Sequence, residues 1–441
     1  MPAFRRGEYN GVWIIRRFPR VQPGNRTVLV TVILFEDGQV DRLYPATLGR
    51  PAFAVGCGSY RLLDLAARLG QPLHAVVRSH LWDILEADHP GVILGQPLGE
   101  GRLLFVNGRL VPKVSTIRSL GQWLAEGRPG LVRYGQEVVA ALLGSESPRP
   151  PKDADSLRLM RWLHELELPL AEIDLPLLHF PHDIIRHQAA TLAENLADRL
   201  ALDDYREIAD GVFAAEGASL AQYVVTDTSG GPILLDRGAT VGPYCYLSGP
   251  AYLGVGARVI EHSAIKDAVA LGHTTKAGGE IECSVIEPYT NKQHHGFLGH
   301  SYVGSWVNLG AGTCNSDLKN TYGPVTMEYH GHKVSTEMQF VGSIIGDYAK
   351  TAINTSIFTG KTIGVCSMAY GFVTTNVPSF VNYARTFGQV TEAPVDVMIA
   401  TQARMFKRRG VEQRPCDIQL LYDMYALTRH ERQIADRPLY L

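Results

Sequence analysis

Through the middle of the chain, apolar residues recur every six positions. Leu235, Val241, Leu247, Leu253, Val259, Ile265 and Leu271 hold one phase. After a short break the period resumes at Val285, skips Asn291, and continues at Phe297, Val303 and Leu309. Gly242, Gly254, Gly272, Gly304 and Gly310 each follow one of these residues. A period of six matches neither an α-helix nor an alternating strand. It predicts a parallel β-helix of hexapeptide units, each a short strand and a corner, with three units to a coil. Residues about eighteen apart then stack, the apolar side chain points into the prism, and glycine relieves the corner. Coils are expected from about 233 to about 372, broken by a loop or hairpin at 319–332. Ile345, Ile357 and Ile363 resume the same phase.

The flanking segments carry other periods. TVLVTVILF, 27–35, reads as a buried strand, followed by a helix over 60–67 and a short strand at 74–77. Ser79 is placed to cap a helix running to Ala87. Asn107-Gly108 between apolar runs is a hairpin signal, and 116–126 reads as a helix stopped by Gly127. Strands alternating with helices predict a mostly parallel sheet. SESPRPPKD, 145–153, reads as a proline-rich linker. Leu192, Leu196 and Leu200 then mark an amphipathic helix that packs the sheet domain onto the first coil. His182 and His187 near its start read as surface or packing residues. After Pro394, a helix places Val395, Met398, Ile399 and Phe406 on one face and ends at Lys407-Arg408-Arg409-Gly410. Pro415 opens a second helix. The expected architecture is an α/β domain at 1–145 and a connector at 146–226. A β-helix at 227–378 and a helical tail at 379–441 follow.

Composition narrows the class. At 441 residues, 45% hydrophobic and 20% charged, the chain is a soluble globular protein with more than one core. A net charge of −2 argues against a nucleic-acid partner. Six cysteines without a Cys-x-x-Cys pair exclude a zinc ribbon and suit a reducing cytosol. No apolar run reaches membrane-spanning length, and the opening residues lack a signal-peptide core. A cytoplasmic protein with no membrane partner is therefore expected.

The stretch NKQHHGFLGHSYVGSWVNLGAGTCN, 291–315, resembles the acetyltransferase segment of the GlmU family. That family joins N-acetylglucosamine-1-phosphate uridyltransferase and glucosamine-1-phosphate N-acetyltransferase activities. The matching residues are His294, Phe297-Leu298-Gly299, Val307 to Thr313 and Cys314-Asn315. The chain is closer still to a divergent bacterial branch of GlmU-like sugar nucleotidyltransferases, which shares NKxHxGFLGHSY and SDLKNxYG. The resemblance implies a left-handed coil, a homotrimer with acetyl-CoA between neighbouring prisms, and acetyl transfer to an amino-sugar phosphate. Phe297, Tyr302 and Trp306 near one corner are further expected at an assembly surface, or against the inserted loop of the same chain.

Histidine suits the removal of an amine proton near neutral pH, and a glycine-rich corner offers N–H groups to an oxyanion. Gly310-Ala311-Gly312 lies about one coil beyond His294. The resemblance implies His294 as general base, with Ala311 and Gly312 toward the thioester. It turns Phe297, Asn308 and Asn315 toward the sugar phosphate. Lys292 and Lys319 are placed to neutralise that phosphate. The family's other phosphate cations have no clean match, with Lys266 and Lys276 as candidates. A rival reading takes His273, His295 and His300 as ligands of a zinc enzyme of the carbonic anhydrase type. A third is a non-catalytic scaffold that binds sugar nucleotides.

In the N-terminal third, Arg42-Leu43, Arg50-Pro51 and the run Gly56 to Asp64 resemble the opening of sugar-nucleotide pyrophosphorylases. The resemblance makes Arg42 and Arg50 nucleotide contacts, UTP a substrate, and Mg2+ a requirement if nucleotidyl transfer is retained. A phosphate cradle needs glycines for close backbone approach. This chain has Phe35-Glu36-Asp37-Gly38-Gln39-Val40-Asp41 there, with one glycine and three carboxylates. Two readings stand: retained chemistry, or an inherited sheet that has lost or redesigned it.

Overall fold

The structure, a computed structural model, describes residues 30–70, 72–95, 101–152 and 155–434. The N-terminal sheet has six strands: β1 (Val30–Phe35), β2 (Leu73–Val76), β3 (Val92–Leu94), β4 (Arg102–Asn107), β5 (Gly130–Tyr134) and β6 (Glu137–Leu143). Their order is β3-β2-β1-β4-β6-β5, with β1 parallel to β2 and β4, and β6 antiparallel to β4 and β5. The start of the expected first strand, 27–29, lies outside the described residues. β1 is buried on both faces, which is why its sequence is continuously apolar. Helices α1 (Leu62–Ala66), α2 (Trp82–Asp88) and α3 (Val114–Glu126) cover one face, packing on Val32 and Leu34. Gly127 ends α3 with φ of +69°, as its position predicts.

Three local expectations are corrected here. The first helix starts at Leu62, because Tyr60–Arg61 pairs with Gly56–Cys57 as a short hairpin. Ser79 makes no cap bond and begins a 3₁₀ turn ahead of α2. Asn107-Gly108 is not a hairpin turn; β4 simply ends there, and the Asn107 amide is buried against Asp37. The boundary at 145 also moves. α4 (Ser156–Glu165) returns after the proline-rich stretch and sets Leu159 and Leu163 on Ile33, Phe35 and Phe105. The second face of the sheet is apolar and needs that cover.

Parallel coil pairing begins at Val212 with Ile233, earlier than 227. The coils form a parallel β-helix with three faces. The first face carries Ile233–Leu235, Ala251–Leu253, Val269–Leu271 and, higher up, Tyr302–Val303 and Ser343–Ile345. The second carries Thr240–Val241, Arg258–Val259, Lys276–Ala277 and Asn291–Lys292. The third carries Tyr246–Ser248, Ala264–Lys266, Glu280–Glu282 and Phe297–Gly299. Corners place even bulky residues in the left-handed backbone region, as at Tyr244 (φ +57°) and Trp306 (φ +60°).

Early coils have the predicted eighteen-residue spacing, as between Thr240 and Arg258. The spacing then shortens to fifteen between Lys276 and Asn291 and to seventeen between Val285 and Tyr302. This shortening moves the phase of six. Ile286 and Leu298 line the interior, whereas Val285 faces the N-terminal domain and Phe297 lies half-buried on the outside. The interior position between Ile286 and Leu298 falls on Lys292 rather than on an apolar residue. The break in the coils is a protruding hairpin of Thr326–Tyr329 with His332–Ser335, close to the expected position. The coil resumes where Ile344 pairs with Tyr302. It closes with Val381–Ala384 and Gln389–Glu392, beyond the expected end at 378.

The first face is covered by the same chain. α5 (His182–Leu202) lays Leu192 and Leu196 on Leu234, Tyr252 and Ala270, as the amphipathic pattern predicts. Higher up, the N-terminal domain and the hairpin cover Tyr302 and Ile344. His182 is a packing residue: it is buried, with Nδ1 2.8 Å from the Tyr329 hydroxyl. Two C-terminal helices, α6 (Val395–Arg408) and α7 (Pro415–Leu427), match the expected tail. Phe406 of α6 packs on Trp306 at 4.4 Å, and Trp306 stacks on Tyr289 at 4.2 Å. Tyr302 and Trp306 are therefore internal contacts, not an assembly surface. Among the described residues no helix is long and apolar enough to cross a membrane.

Candidate active site at an open corner of the prism

After Asn291–Lys292 the chain leaves the second face and turns through Gln293, His294, His295 and Gly296 to Phe297–Gly299 on the third. The next coil repeats this path seventeen residues later. Asn308 sits on Asn291, so Ala311 follows over His294, and Gly312 donates its N–H to the His295 carbonyl at 3.1 Å. Neighbouring coils are about 4.8 Å apart. Both histidines are exposed, and the Gln293 amide lies 3.3 Å from His294 Nε2. Gly312 has φ of +75°, and a Cβ there would sit 2.1 Å from Asn354 Oδ1, so a side chain at this corner would have to displace the Asn354 amide.

Not all the glycine-rich N–H groups are free. Gly310 N–H goes to Thr351 Oγ1 at 2.9 Å, and Gly312 N–H goes to His295. The Ala311 N–H has no partner among the described residues. The corner therefore brings together one exposed imidazole and one uncommitted backbone donor. Sequence reasoning placed both residues but offered Gly312 as an equal donor, which the coil hydrogen bonding corrects.

Two of the expected sugar-phosphate contacts point inward. Lys292 is 1% exposed, and its ammonium donates to the carbonyls of Gly278 (2.9 Å), His294 (2.7 Å) and Gly296 (3.0 Å). Burial pushes its pKa down to about 8. It braces the main chain of His294 from inside and cannot reach an external phosphate. Asn315 likewise fills an interior position. It accepts from Gly299 N–H at 2.9 Å and donates to Gly299 O at 3.0 Å, tying two coils together. Both corrections have one cause: the shortened coils shift which residue of each hexapeptide faces in.

The outer contacts stand differently. The Phe297 ring lies across Gly299, where a Cβ would meet it at 2.4 Å. Asn308 is exposed beside Asn291. Lys319 sits at the base of the hairpin insertion, bonded to Pro324 O at 2.9 Å. Of the two further lysine candidates, Lys266 is neutralised by Glu280 at 2.5 Å and Glu282 at 3.9 Å, whereas among the described residues no carboxylate reaches Lys276.

The zinc reading is corrected at the level of a single chain. His273 packs edge-on against Tyr289 at 4.8 Å, and His300 Nδ1 pairs with Asp317 at 2.8 Å. Among the described residues no three His, Cys, Asp or Glu groups converge as a metal would require.

In an open α/β sheet, ligands bind beyond the carboxyl ends of strands where the order reverses, here between β1 and β4. That crevice holds two internal ion clusters. Glu36 accepts from Arg78 Nε and Nη2 at 3.0 Å each and from Ala52 N–H at 2.9 Å. Asp37 accepts from Arg109 Nε at 2.9 Å and Nη2 at 2.6 Å, and from the Asn107 amide at 2.7 Å. Neither carboxylate is left to hold Mg2+ or to repel a phosphate. The cleft beside them, lined by Asp37, Gln39, Glu137 and His164, encloses about 200 Å3, below the usual size of a small-molecule pocket. These residues do not fit a magnesium nucleotide in this arrangement. Arg42 is exposed on the 3₁₀ turn after β1. Arg50 is corrected outright: its guanidinium pairs with Glu287 at 3.2 Å and with Asp347, both on the prism. Tyr302 and the Gly56 N–H complete that cluster through Glu287. Arg50 joins the two domains. Arg78 and Arg109 carried no sequence signal, because their partners are tens of residues away.

Residues 32–200 match a family described as sugar nucleotidyl transferase. A bifunctional protein GlmU from Methanococcus vannielii is 32% identical over 114 residues, 26% of this chain and 26% of that protein. A bifunctional protein GlmU from Streptococcus thermophilus is 28% identical over 162 residues, 34% of this chain and 29% of that one. The chain thus spans between a quarter and a third of the length of these relatives. A solved UDP-N-acetylglucosamine acyltransferase from Francisella novicida aligns with 52% of this chain and 82% of its own at 14% identity and a TM-score of 0.28, too loose to argue from. Residues 32–200 are thus similar to sugar nucleotidyl transferases, and parts of the chain are similar to bifunctional GlmU proteins.

Proposed function

We propose that this protein is an acetyl-CoA-dependent N-acetyltransferase acting on an amino-sugar phosphate of the glucosamine-1-phosphate type. The observation that carries the reading is the pairing of exposed His294 with the unpartnered Ala311 N–H one coil above it. In this reading His294 takes the proton as the sugar amine attacks the thioester carbonyl. The Ala311 N–H donates to the oxyanion that forms, and the coenzyme A thiolate leaves. In this reading Phe297 and Asn308 touch the sugar. The protein works as a homotrimer in the cytoplasm, its prisms meeting away from the first face, which its own N-terminal domain and α5 cover. The N-terminal domain serves here to brace the prism through Arg50. Incubating the purified protein with glucosamine-1-phosphate and acetyl-CoA tests the reading. Free thiol and N-acetylated sugar phosphate should appear in equal amounts; thioester hydrolysis alone, or no reaction, overturns it.

A further inference from the structure

Most cations near the domain joint have a carboxylate partner, as Arg50, Arg78 and Arg109 do. One group does not. On the second face Arg258 and Lys276 are register partners on neighbouring coils, and Asn291 and Asn308 continue the same column. The column therefore presents two cations, two amides and then Lys350, whose ammonium is bonded to Tyr348 O at 2.9 Å, at steps of about 4.8 Å. At the end of α6, Arg409 reaches across to this column and donates Nη2–H to Asn291 Oδ1 at 2.6 Å. Arg408 precedes it and is exposed. No carboxylate lies within ion-pair distance of Arg258, Lys276, Arg408 or Arg409 among the described residues.

Two of these cations feel the others. Burial first, then Arg409, Arg258 and Arg408, hold the Lys276 ammonium below its ordinary pKa. Burial and Arg408 do the same to Arg409. In a chain of net charge −2, an all-cationic cluster pinned by a tertiary contact is a local exception. A dianion seated among them would relieve the repulsion and accept several charge-assisted hydrogen bonds. Asn291, which Arg409 holds, lies three residues, about 10 Å of contour, before the proposed base, with Lys276 one coil below it. It is on a different face from Phe297 and uses neither Lys292 nor Lys319.

We propose that Lys276 and Arg409, with Arg258 and Arg408 beside them, bind the phosphate of an organic phosphate ligand at the His294 corner. The ligand class rests on the acetyl-transfer reading; the shared chemistry is a phosphate from either the sugar 1-phosphate or coenzyme A.

The test is equilibrium binding to the full-length protein, without turnover, by calorimetry with coenzyme A, with glucosamine-1-phosphate and with inorganic phosphate. At least one of the two organic ligands should bind with an affinity that falls as salt rises. Lys276→Gln and Arg409→Gln should each weaken it about tenfold or more, the loss of one charged hydrogen bond. Arg118→Gln, an exposed cation of α3, should leave it unchanged. Circular dichroism confirms that each variant is folded. Binding of coenzyme A alone assigns the phosphate to the acyl donor, and binding of the sugar phosphate alone assigns it to the acceptor. The proposal is overturned if neither organic ligand binds, or if Lys276→Gln and Arg409→Gln bind as the wild type does. Selective weakening in a protein that transfers no acetyl group would instead sink the acetyl-transfer reading while leaving this site standing.

Discussion

Lys292→Met separates the bracing of the corner from the charge that does it. Methionine keeps the length of the side chain in the prism and removes the ammonium. Burial holds Lys292 near a pKa of about 8, against 10.5 for a free lysine. The difference corresponds to about 3 kcal/mol between protonation states. Between pH 8 and 10.5 the unfolded chain binds more protons at this position than the folded one. Stability from this group is therefore full above 10.5 and is lost as pH falls through 8. The unfolding free energies of wild type and Lys292→Met should converge or diverge by about 2 kcal/mol between pH 7 and 9.5, with wild type gaining on the variant as pH rises. Lys350, also lowered to about 8 by burial, is present in both proteins and cancels. Activity should respond as well. Losing the charged bond to the His294 carbonyl releases the main chain that carries the proposed base, lowering kcat by about tenfold if 1.4 kcal/mol of it is felt in the transition state. Urea unfolding at the two pH values and a pH–rate profile from pH 6 to 10 measure both effects. An unchanged kcat, with a stability difference that does not move with pH, would refute the bracing role.

Three further outcomes follow from the geometry. Arg50→Met leaves Glu287 and Asp347 buried without their cation and should cost about 3–5 kcal/mol in denaturant unfolding; a loss under about 1 kcal/mol would mean the joint is held by apolar packing alone. His295→Ala and His300→Ala should acetylate at close to wild-type rates, since one caps nothing essential and the other pairs with Asp317 at the hairpin base; loss of activity together with bound zinc would revive the metal reading. With UTP, Mg2+ and N-acetylglucosamine-1-phosphate the full-length protein should release little or no pyrophosphate, because Glu36 and Asp37 are tied to Arg78 and Arg109. Robust pyrophosphate release would show that this crevice opens.

The period of six made the prism legible, because an apolar residue in every hexapeptide leaves a regular trace whatever surrounds it. The same trace misled where coils shorten. Restarting the count of six at Val285 puts Val285 and Phe297 inside, whereas the fifteen-residue step from Lys276 to Asn291 puts Ile286, Lys292 and Leu298 there. The skipped apolar residue near Asn291 was the visible sign of that shift. The motif put His294 and Ala311 at one corner, and the coil pairing brings them one above the other. It did not reveal which backbone donors are free, since that depends on Thr351, forty residues on. Arg258 and Lys276 lie one coil apart and were readable as a pair. Arg409 was not, because only tertiary packing of α6 on Trp306 brings it to Asn291. In the N-terminal third the acidic loop was visible, but its neutralisation by Arg78 and Arg109 was a long-range fact.

The central claim is that His294 is the base for acetyl transfer, and steady-state kinetics of His294→Ala with glucosamine-1-phosphate and acetyl-CoA tests it most directly. A base acts mainly in the transition state, so kcat should fall by about 10²–10⁴-fold while the KM values stay near wild type and the fold is retained. A folded His294→Ala protein that acetylates glucosamine-1-phosphate at the wild-type rate would contradict the account.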